Sequence, residues 1–333
     1  MDPVTQGALG AAAAQILLQE KLGRRAWLYG ALGGMAPDLD IFIRSAHDPL
    51  VAWTYHRHFT HSLAFVPIGG VVSGLPFIWR KPKAERALIL GATTAGYATH
   101  ALLDAFTSYG TQLWWPFSST REAWNWIGII DPAFTLPLCV GVAVAAVKDR
   151  LRPLWIALAW CALYMGWGGL QHARARAHAE ALAAGRGHTV VRVAAFPGIA
   201  TNVLWRTLYL ADGRIHVDAV HVPWLGEVTS REGGSVPRFG ADARAALAGG
   251  DARLAEGLAT FDWFADGWVA ADPSDPHELG DLRYGRGVAS TTAMWGLAVD
   301  PSAEHPFSSF NTPPGDDALG EMTTLWFNGF SQD

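Results

Sequence analysis

The sequence is poor in cysteine and in charged residues, and it has no excess of basic residues. Its 333 residues include two cysteines, Cys139 and Cys161, which both lie in apolar runs. Two cysteines are too few for a disulfide scaffold or a thiolate zinc site. Charged residues make up 17% of the chain, against roughly 25% in average soluble domains. The net charge of −5 excludes the basic surface of a nucleic-acid-binding protein.

The first half of the chain is apolar enough to predict membrane helices. Six apolar runs precede residue 175, and each approaches the roughly 17–25 residues that a spanning helix needs. They lie at 4–19, 26–43, 62–79, 88–103, 133–147 and 153–170. A signal peptide followed by a soluble helix is the alternative for the first two runs, but Met1-Asp2-Pro3 lacks the basic residues with which signal peptides begin. Residues 1–175 are therefore predicted to form a membrane bundle of about six α-helices.

Three short basic turns give the bundle an orientation. They separate the first run from the second, the third from the fourth and the fifth from the sixth. Their residues are Lys21, Arg24, Arg25, Arg80, Lys81, Lys83, Arg86, Lys148, Arg150 and Arg152. By the positive-inside rule these turns are cytoplasmic. The sequence then predicts a multi-pass protein of the bacterial inner membrane, with the long connections 44–61 and 104–132 outside.

The second half has the pattern of a smaller soluble domain. The strand candidates are β-branched or alternate in polarity, and they lie at 189–193, 204–210, 215–222, 267–271, 282–289 and 293–299. Asp212-Gly213 is a hairpin turn signal. The spacing predicts a helix over 241–264 and a polar helical extension over 171–187, while 300–333 is predicted as loop. Residues 188–333 are thus expected to form a mixed α/β domain outside the cytoplasm.

Two carboxylates interrupt the second apolar run. Asp38 and Asp40 stand two residues apart in Pro37-Asp-Leu-Asp40. Ionisable residues within membrane segments are rare and usually functional, and carboxylate oxygens bind divalent metals. A helix end with solvated acids explains the pair equally well.

Histidines are concentrated in the connection that follows. His56, His58 and His61 fall within six residues, in a chain that has 12 histidines. Neutral imidazole is the commonest metal ligand. Thr60 is suited to cap the third helix, and Arg57 is suited to clamp a phosphate or to balance the acids. The alternative is a solvated loop with incidental histidines.

A third cluster lies in the fourth apolar run. His100 and Asp104 are four residues apart and therefore share one helix face. Such a pair either chelates one ion or is an arrangement in which the acid fixes the histidine tautomer. In the six-helix topology all three clusters meet at the outward membrane face. They predict a His/Asp site for Zn²⁺ or Mn²⁺, in which an open position would activate water. The loop 106–117 is expected either to contact a substrate over this site or to anchor the chain at the interface.

These motifs resemble those of the bacterial membrane-bound metal-dependent hydrolase family. They are Pro37-Asp-Leu-Asp40, His56-Arg57-x-x-Thr60-His61-Ser62, His100-x-x-x-Asp104 and Thr107-Ser-Tyr-Gly-Thr-Gln-Leu-x-Trp-Pro116. The resemblance covers about residues 1–175 and extends more weakly to Phe196-Pro and Asn202-x-x-x-Arg206. It implies one or two divalent ions, held by Asp38, Asp40, His56, His61, His100 and Asp104. His58 stands where the family often has glycine, so it is either an extra ligand or a local substitution. A faint likeness to zinc-dependent phospholipase C suggests a lipid phosphoester as substrate.

The sequence therefore predicts a membrane-embedded, metal-dependent hydrolase that acts on a phosphoester or ester of a lipid-like substrate. Arg57 would stabilise developing charge, and Asp38 or Asp40 would act as general base instead of a ligand. The alternative is a non-catalytic membrane protein with a structural or sensory metal site and a partner-binding outer domain. A transporter is less favoured, because the sequence has no inverted repeat and the polar clusters lie at one face.

Overall fold

The computed structural model describes residues 1–314, 320, 324–326 and 329–330. The chain divides into two compact units, one formed by Met1–Phe42 and Tyr55–Gly169, the other by Ile43–Thr54 and Leu170–Asp333. Helices α1 to α9 span Pro3–Leu22, Ala26–Met35, Pro49–Tyr55, Val66–Ile78, Lys83–Ala105, Pro132–Lys148, Arg152–Gly185, Ala241–Ala248 and Ala252–Phe264. Strands β1 to β8 span Arg192–Pro197, Leu204–Ala211, Arg214–His221, Thr229–Pro237, Val269–Asp272, Asp275–Asp281, Trp295–Val299 and Phe307–Asn311. Short 3-10 turns cover Gly23–Arg25, Ala36–Phe42, Phe59–His61 and Leu63–Phe65.

Glycines bring three helices of the first unit into backbone contact. A Cβ atom added to Gly10 of α1 would lie 2.4 Å from the carbonyl oxygen of Gly30 in α2. A Cβ atom on Gly96 of α5 would lie 2.0 Å from that same oxygen. Only residues without a side chain permit helices to approach so closely. This contact fixes the end of α2, from which the acidic turn Ala36–Phe42 continues.

The prediction of a six-helix membrane bundle is wrong. Within the described residues, one helix, α7, is long and apolar enough to cross a membrane, and a second candidate exists if the bent pair Pro49–His61 and Leu63–Ile78 is one span. The run at 26–43 contains only the 10 helical residues of α2, which rise about 15 Å, half of the roughly 30 Å of bilayer hydrocarbon. The run at 62–79 gives 13 residues in α4, because two 3-10 turns precede it.

Three other runs, at 4–19, 88–103 and 133–147, also do not qualify as spans, because of their composition or length. Helix α1 buries three amide side chains, Gln6, Gln15 and Gln19, and α5 carries the polar residues of the third cluster. Helix α6 has 17 residues. The outward orientation inferred from the basic turns depends on a count of six spans and therefore has no support in the structure.

The second unit contains two antiparallel sheets, each of four strands in sequential order, β1-β2-β3-β4 and β5-β6-β7-β8. The predicted hairpin is confirmed, since Leu204–Ala211 pairs with Arg214–His221. Asp212 and Gly213 turn the chain with φ of 50° and 71°, as a type I′ turn requires. The polar extension after residue 170 is confirmed as the end of α7.

Other elements of the second unit differ from the prediction. The helix expected over 241–264 is two helices, because Gly249 and Gly250 both have positive φ. The strand expected at 282–289 is absent, and the strand lies earlier, at Asp275–Asp281. Arg206 binds this segment instead, since its buried guanidinium donates to the carbonyl oxygens of Leu282 at 2.7 Å and Val288 at 3.0 Å. These carbonyls are thereby withdrawn from strand pairing.

Further strands lie where loops or no strand were expected. Strand β4 was not expected, and β8 falls within the stretch 300–333, which was expected to be loop. Of that stretch, residues 315–319, 321–323, 327–328 and 331–333 lie outside the described residues. Residues 43–54 belong to the second unit, where the Trp53 ring lies 5.2 Å from that of Phe261 and 5.7 Å from that of Trp295.

Candidate metal centre

Four ligand atoms converge in the first unit. Asp38 lies in the 3-10 turn after α2, His61 ends the turn Phe59–His61, and His100 and Asp104 occupy one face of α5. The Nε2 atoms of His61 and His100 are 2.9 Å apart. Asp38 Oδ1 lies 3.4 Å from each of them, while Asp104 Oδ2 lies 3.4 Å from His61 and 3.5 Å from His100. A tetrahedral ion with bonds of about 2.0–2.2 Å separates its ligands by about 3.3–3.6 Å, so most of these spacings fit one ion.

The far nitrogen of each converging imidazole has an oxygen partner. His100 Nδ1 donates to the carbonyl oxygen of Gly34 at 2.6 Å. His61 Nδ1 faces Asp40 Oδ2 at 3.1 Å. This arrangement lets both rings bind a metal through Nε2, as metal-binding histidines do when a carbonyl or carboxylate holds the other nitrogen. Two imidazole nitrogens and two carboxylate oxygens around one point form a set of ligands that could hold a metal ion.

Asp104 also has an oxygen atom suited to bind a cation. Its Oδ2 atom is buried and forms an ion pair with Arg57 Nε at 3.0 Å, but it accepts no well-aligned hydrogen bond. Its Oδ1 atom accepts a hydrogen bond from Gln6 Nε2 at 2.8 Å and contacts the amino group of Met1. Buried carboxylate oxygens that accept no hydrogen bond are rare in native structures, so Oδ2 is available for a metal. The residues present thus fit a divalent ion.

The carboxylates of this cluster are held in their ionised forms. Burial opposes ionisation of Asp104, but the positive charge of Arg57 holds its pKa well below the usual range. Burial likewise opposes ionisation of Asp38, but hydrogen bonds from His100 and His61 lower its pKa. Ionised acids are the form that coordinates metals.

Asp40 is placed behind the histidines. Its Oδ1 atom is 2.7 Å from His56 Nδ1. Its Oδ2 atom accepts hydrogen bonds from the Arg57 amide at 2.9 Å and from Thr60 Oγ1 at 2.8 Å. Asp38, Asp40 and His56 form a second group of potential ligands, whose ligand atoms lie within 4.8 Å of one another. Since donors already surround Asp40, its main effect is to orient the two imidazoles. Thr60 does not cap the next helical segment, because Ser62 accepts the hydrogen bond from the Phe65 amide.

Arg57 points inward. Its Nε atom lies 3.0 Å from Asp104 Oδ2, and its side chain is 6% exposed. Its guanidinium also donates to Thr107 Oγ1 at 3.0 Å and lies 4.7 Å from the Tyr109 ring centroid. Of the two roles expected from the sequence, this geometry matches the balancing of acids. His58 is outside both ligand groups and packs against Trp115, with ring centroids 5.5 Å apart.

The loop 106–117 holds the histidine segment in place. The Gln112 amide donates to the Arg57 carbonyl at 3.0 Å, and the Leu63 amide donates to the Leu113 carbonyl at 3.0 Å. The ring of Tyr109 lies 5.3 Å from that of His56. This loop therefore braces the ligand-bearing turn from one side.

Sequence reasoning missed Gln6 and Gly34. Gln6 sits in an apolar helix far from every motif, and its only sequence signal is that it is polar there. Gly34 acts through its carbonyl group, which no residue-type pattern reveals. Both positions depend on how α1 and α2 pack against α5.

Comparison with known proteins matches the part of the chain that contains these motifs. Residues 1–175 match the family model described as YdjM inner membrane protein. The uncharacterized protein YfhP of Bacillus subtilis (strain 168) is 28% identical over 112 residues, which are 34% of this chain and 34% of that protein. The matched region thus spans about one third of this relative. No solved structure matches the chain. Because the family model covers more than half of the sequence, including all four converging ligands, the chain belongs to the YdjM inner membrane protein family.

Proposed function

We propose that this inner membrane protein is a divalent-metal-dependent hydrolase that cleaves a phosphoester or ester of a lipid-like substrate. The observation that carries the proposal is the convergence of two imidazole Nε2 atoms and two carboxylate oxygens on one point. Zinc is the preferred ion, since this His/Asp set at tetrahedral spacing suits it, and manganese is the alternative. When bound, such an ion acts as a Lewis acid and activates water for hydrolysis.

The side chains differ in access to solvent, and this gives them different tasks. His61, His100 and Asp104 are fully buried, whereas the Asp38 side chain is 23% exposed. Substrate would therefore approach from the side of Asp38. His56 is also partly exposed, and its bond to Asp40 through Nδ1 leaves Nε2 to hold or pass a proton. An imidazole oriented by a carboxylate is a common general acid or base.

The charge of Arg57 serves the site indirectly. The guanidinium offsets the buried charge of Asp104, so that the cluster tolerates two carboxylates beside the metal. This replaces the expectation that Arg57 contacts the substrate.

A structural metal site is the second candidate function. The observation that favours it is the number of protein ligands, since four would fill a tetrahedral ion, as in structural zinc sites. Catalysis requires that one ligand leave its position or be shared with the neighbouring group of His56 and Asp40. Asp38 is the exposed ligand and therefore the one suited to do so.

Metal content and hydrolysis together test the proposal. Full-length protein purified in detergent should contain about one or two zinc or manganese ions per chain by inductively coupled plasma mass spectrometry. His61→Ala should lose the metal, and His58→Ala, from the same segment but outside the ligand groups, should retain it. Retention of metal by His61→Ala would contradict the assignment of the site.

Activity separates the two candidate functions. The metal-loaded protein should hydrolyse bis-p-nitrophenyl phosphate, p-nitrophenyl esters or phospholipid in mixed micelles, and Asp38→Asn should abolish this hydrolysis. Stable metal binding without hydrolysis of any of these substrates would favour the structural site.

A further inference from the structure

A groove crosses the first unit, and none of the metal ligands lines it. It has a volume of about 530 Å³, within the range of roughly 300–1,000 Å³ of small-molecule sites. Small side chains of α1, including Ala8 and Ala11, form its floor, Trp27 and Ala31 of α2 form one wall, and Ala143 and Val147 of α6 form the other. Along α1 the groove runs from Pro3 to Ala11, about 12 Å. An extended hydrocarbon chain has the shape and polarity for such a groove.

Packing keeps the groove open. Glycine contacts hold α1 against α2, as described above. On the other side, α6 is joined to α1 by hydrogen bonds from Gln15 Nε2 to the Val142 carbonyl at 3.2 Å and from Gln19 Nε2 to the Ala145 carbonyl at 3.3 Å. These two kinds of contact set the separation of α2 and α6.

One end of the groove is basic. Arg24 and Arg25 directly precede the first turn of α2, in which Trp27 lies, and Lys148 directly follows Val147. The 3-10 turn Gly23–Arg25 contacts α6, so the two basic segments lie together. All three basic side chains are exposed, and none has a side-chain hydrogen bond or ion pair with the part of the chain that the structure describes.

Nearby acids do not neutralise this end. Asp149 accepts a hydrogen bond from Gln19 Nε2 at 2.8 Å, and Glu20 is exposed on α1. Against these two acids stand Lys21, Arg24, Arg25, Lys148 and Arg150. Trp27 is 40% exposed, and tryptophan is enriched at the boundary between lipid tails and headgroups.

We infer that this groove binds one anionic phospholipid, with an acyl chain on the floor of α1 and the phosphate at the cluster of Arg24, Arg25 and Lys148. Clusters of Lys and Arg beside an apolar surface recognise acidic lipid headgroups by charge. The site is separate from the metal ligands and does not depend on hydrolysis, so either proposal can fail without the other.

Native mass spectrometry of the full-length protein tests the site. The protein is released from detergent micelles that contain equal amounts of palmitoyl-oleoyl phosphatidylglycerol and phosphatidylcholine. The wild type should retain one phosphatidylglycerol in preference to phosphatidylcholine. Arg24→Gln with Arg25→Gln should reduce this preference about fivefold for each charge removed. The matched control, Arg80→Gln with Lys83→Gln, removes two charges from another turn and should keep it.

A second pair of variants tests the acyl-chain site. Ala143→Trp fills the groove from an exposed position on α6 and should abolish retention of both lipids. Val140→Trp, exposed on the same helix outside the groove, should retain them. Three results would overturn the inference: equal retention of both lipids by the wild type, an unchanged preference in the Arg24/Arg25 variant, or a dimer that Ala143→Trp dissociates.

Discussion

Asp104→Asn is expected to lower the stability of the first unit and also to abolish its metal binding. The carboxylate and Arg57 are both buried, with side-chain exposures of 0% and 6% and an N···O distance of 3.0 Å. Removing one partner of a buried ion pair costs about 3–5 kcal/mol, because the other charge is left uncompensated. The variant should lose that amount in the free energy of unfolding. Titration with sodium dodecyl sulfate in dodecyl maltoside measures it, and EDTA in all samples removes the contribution of bound metal.

The double variant Asp104→Asn with Arg57→Met separates the two effects. Replacing both charges should restore much of the lost stability, because no unpaired buried charge remains. Metal retention should remain lost in both variants, since the ligand is absent. If Asp104→Asn unfolds at the wild-type free energy, or if Arg57→Met adds its own full cost to it, the two side chains do not form the ion pair described above.

Three further predictions concern positions away from the ligands. Gln6→Leu removes the hydrogen bond to Asp104 and should weaken zinc affinity about 10–100-fold, as measured by competition with a fluorescent chelator. Gly10→Ala places a Cβ atom 2.4 Å from the Gly30 carbonyl oxygen and should lower the free energy of unfolding by about 1–3 kcal/mol; an unaffected unfolding curve would show that α1 and α2 do not meet there. Burial lowers the pKa of His221 in β3. Below the unfolded pKa of about 6.5 the unfolded state therefore binds more protons than the folded state, and the free energy of unfolding decreases as the pH is lowered. His221→Gln should reduce this loss between about pH 6.5 and pH 5 in thermal unfolding scans, and an identical pH profile would exclude His221 as its source.

The local part of the site was predictable from the sequence, because spacing determines it. His100 and Asp104 share a face of α5 through helix periodicity alone, and the histidine segment is dense in ligands whatever its fold. What the spacing does not contain is the packing that brings Asp38 and His61 to that face. Gln6 entered the site for the same reason, through contacts between helices that are distant in sequence.

The membrane bundle was mispredicted because average polarity hides where helices end. Glycine and alanine raise the apolar content of the runs at 4–19 and 26–43, yet α1 buries amide groups and α2 stops after 10 residues. In the second unit, the hairpin at Asp212-Gly213 was predictable because its turn requires positive φ. Strand β6 was misplaced because Arg206, a residue 76 positions from Leu282, decides which carbonyls are free to pair.

Gly34 links helix packing to metal chemistry. A Cβ atom on Gly10 would lie 2.9 Å from the Gly34 Cα atom, while the Gly34 carbonyl accepts the hydrogen bond from His100 Nδ1 at 2.6 Å. A displacement of α2 along α1 would therefore rotate the imidazole or reverse which nitrogen carries its proton. Substitutions at this interface would leave every ligand residue in the sequence but would disturb the arrangement of ligand atoms that the proposed metal needs. A search for family members that lack the proposed metal site should inspect these glycines before the histidines.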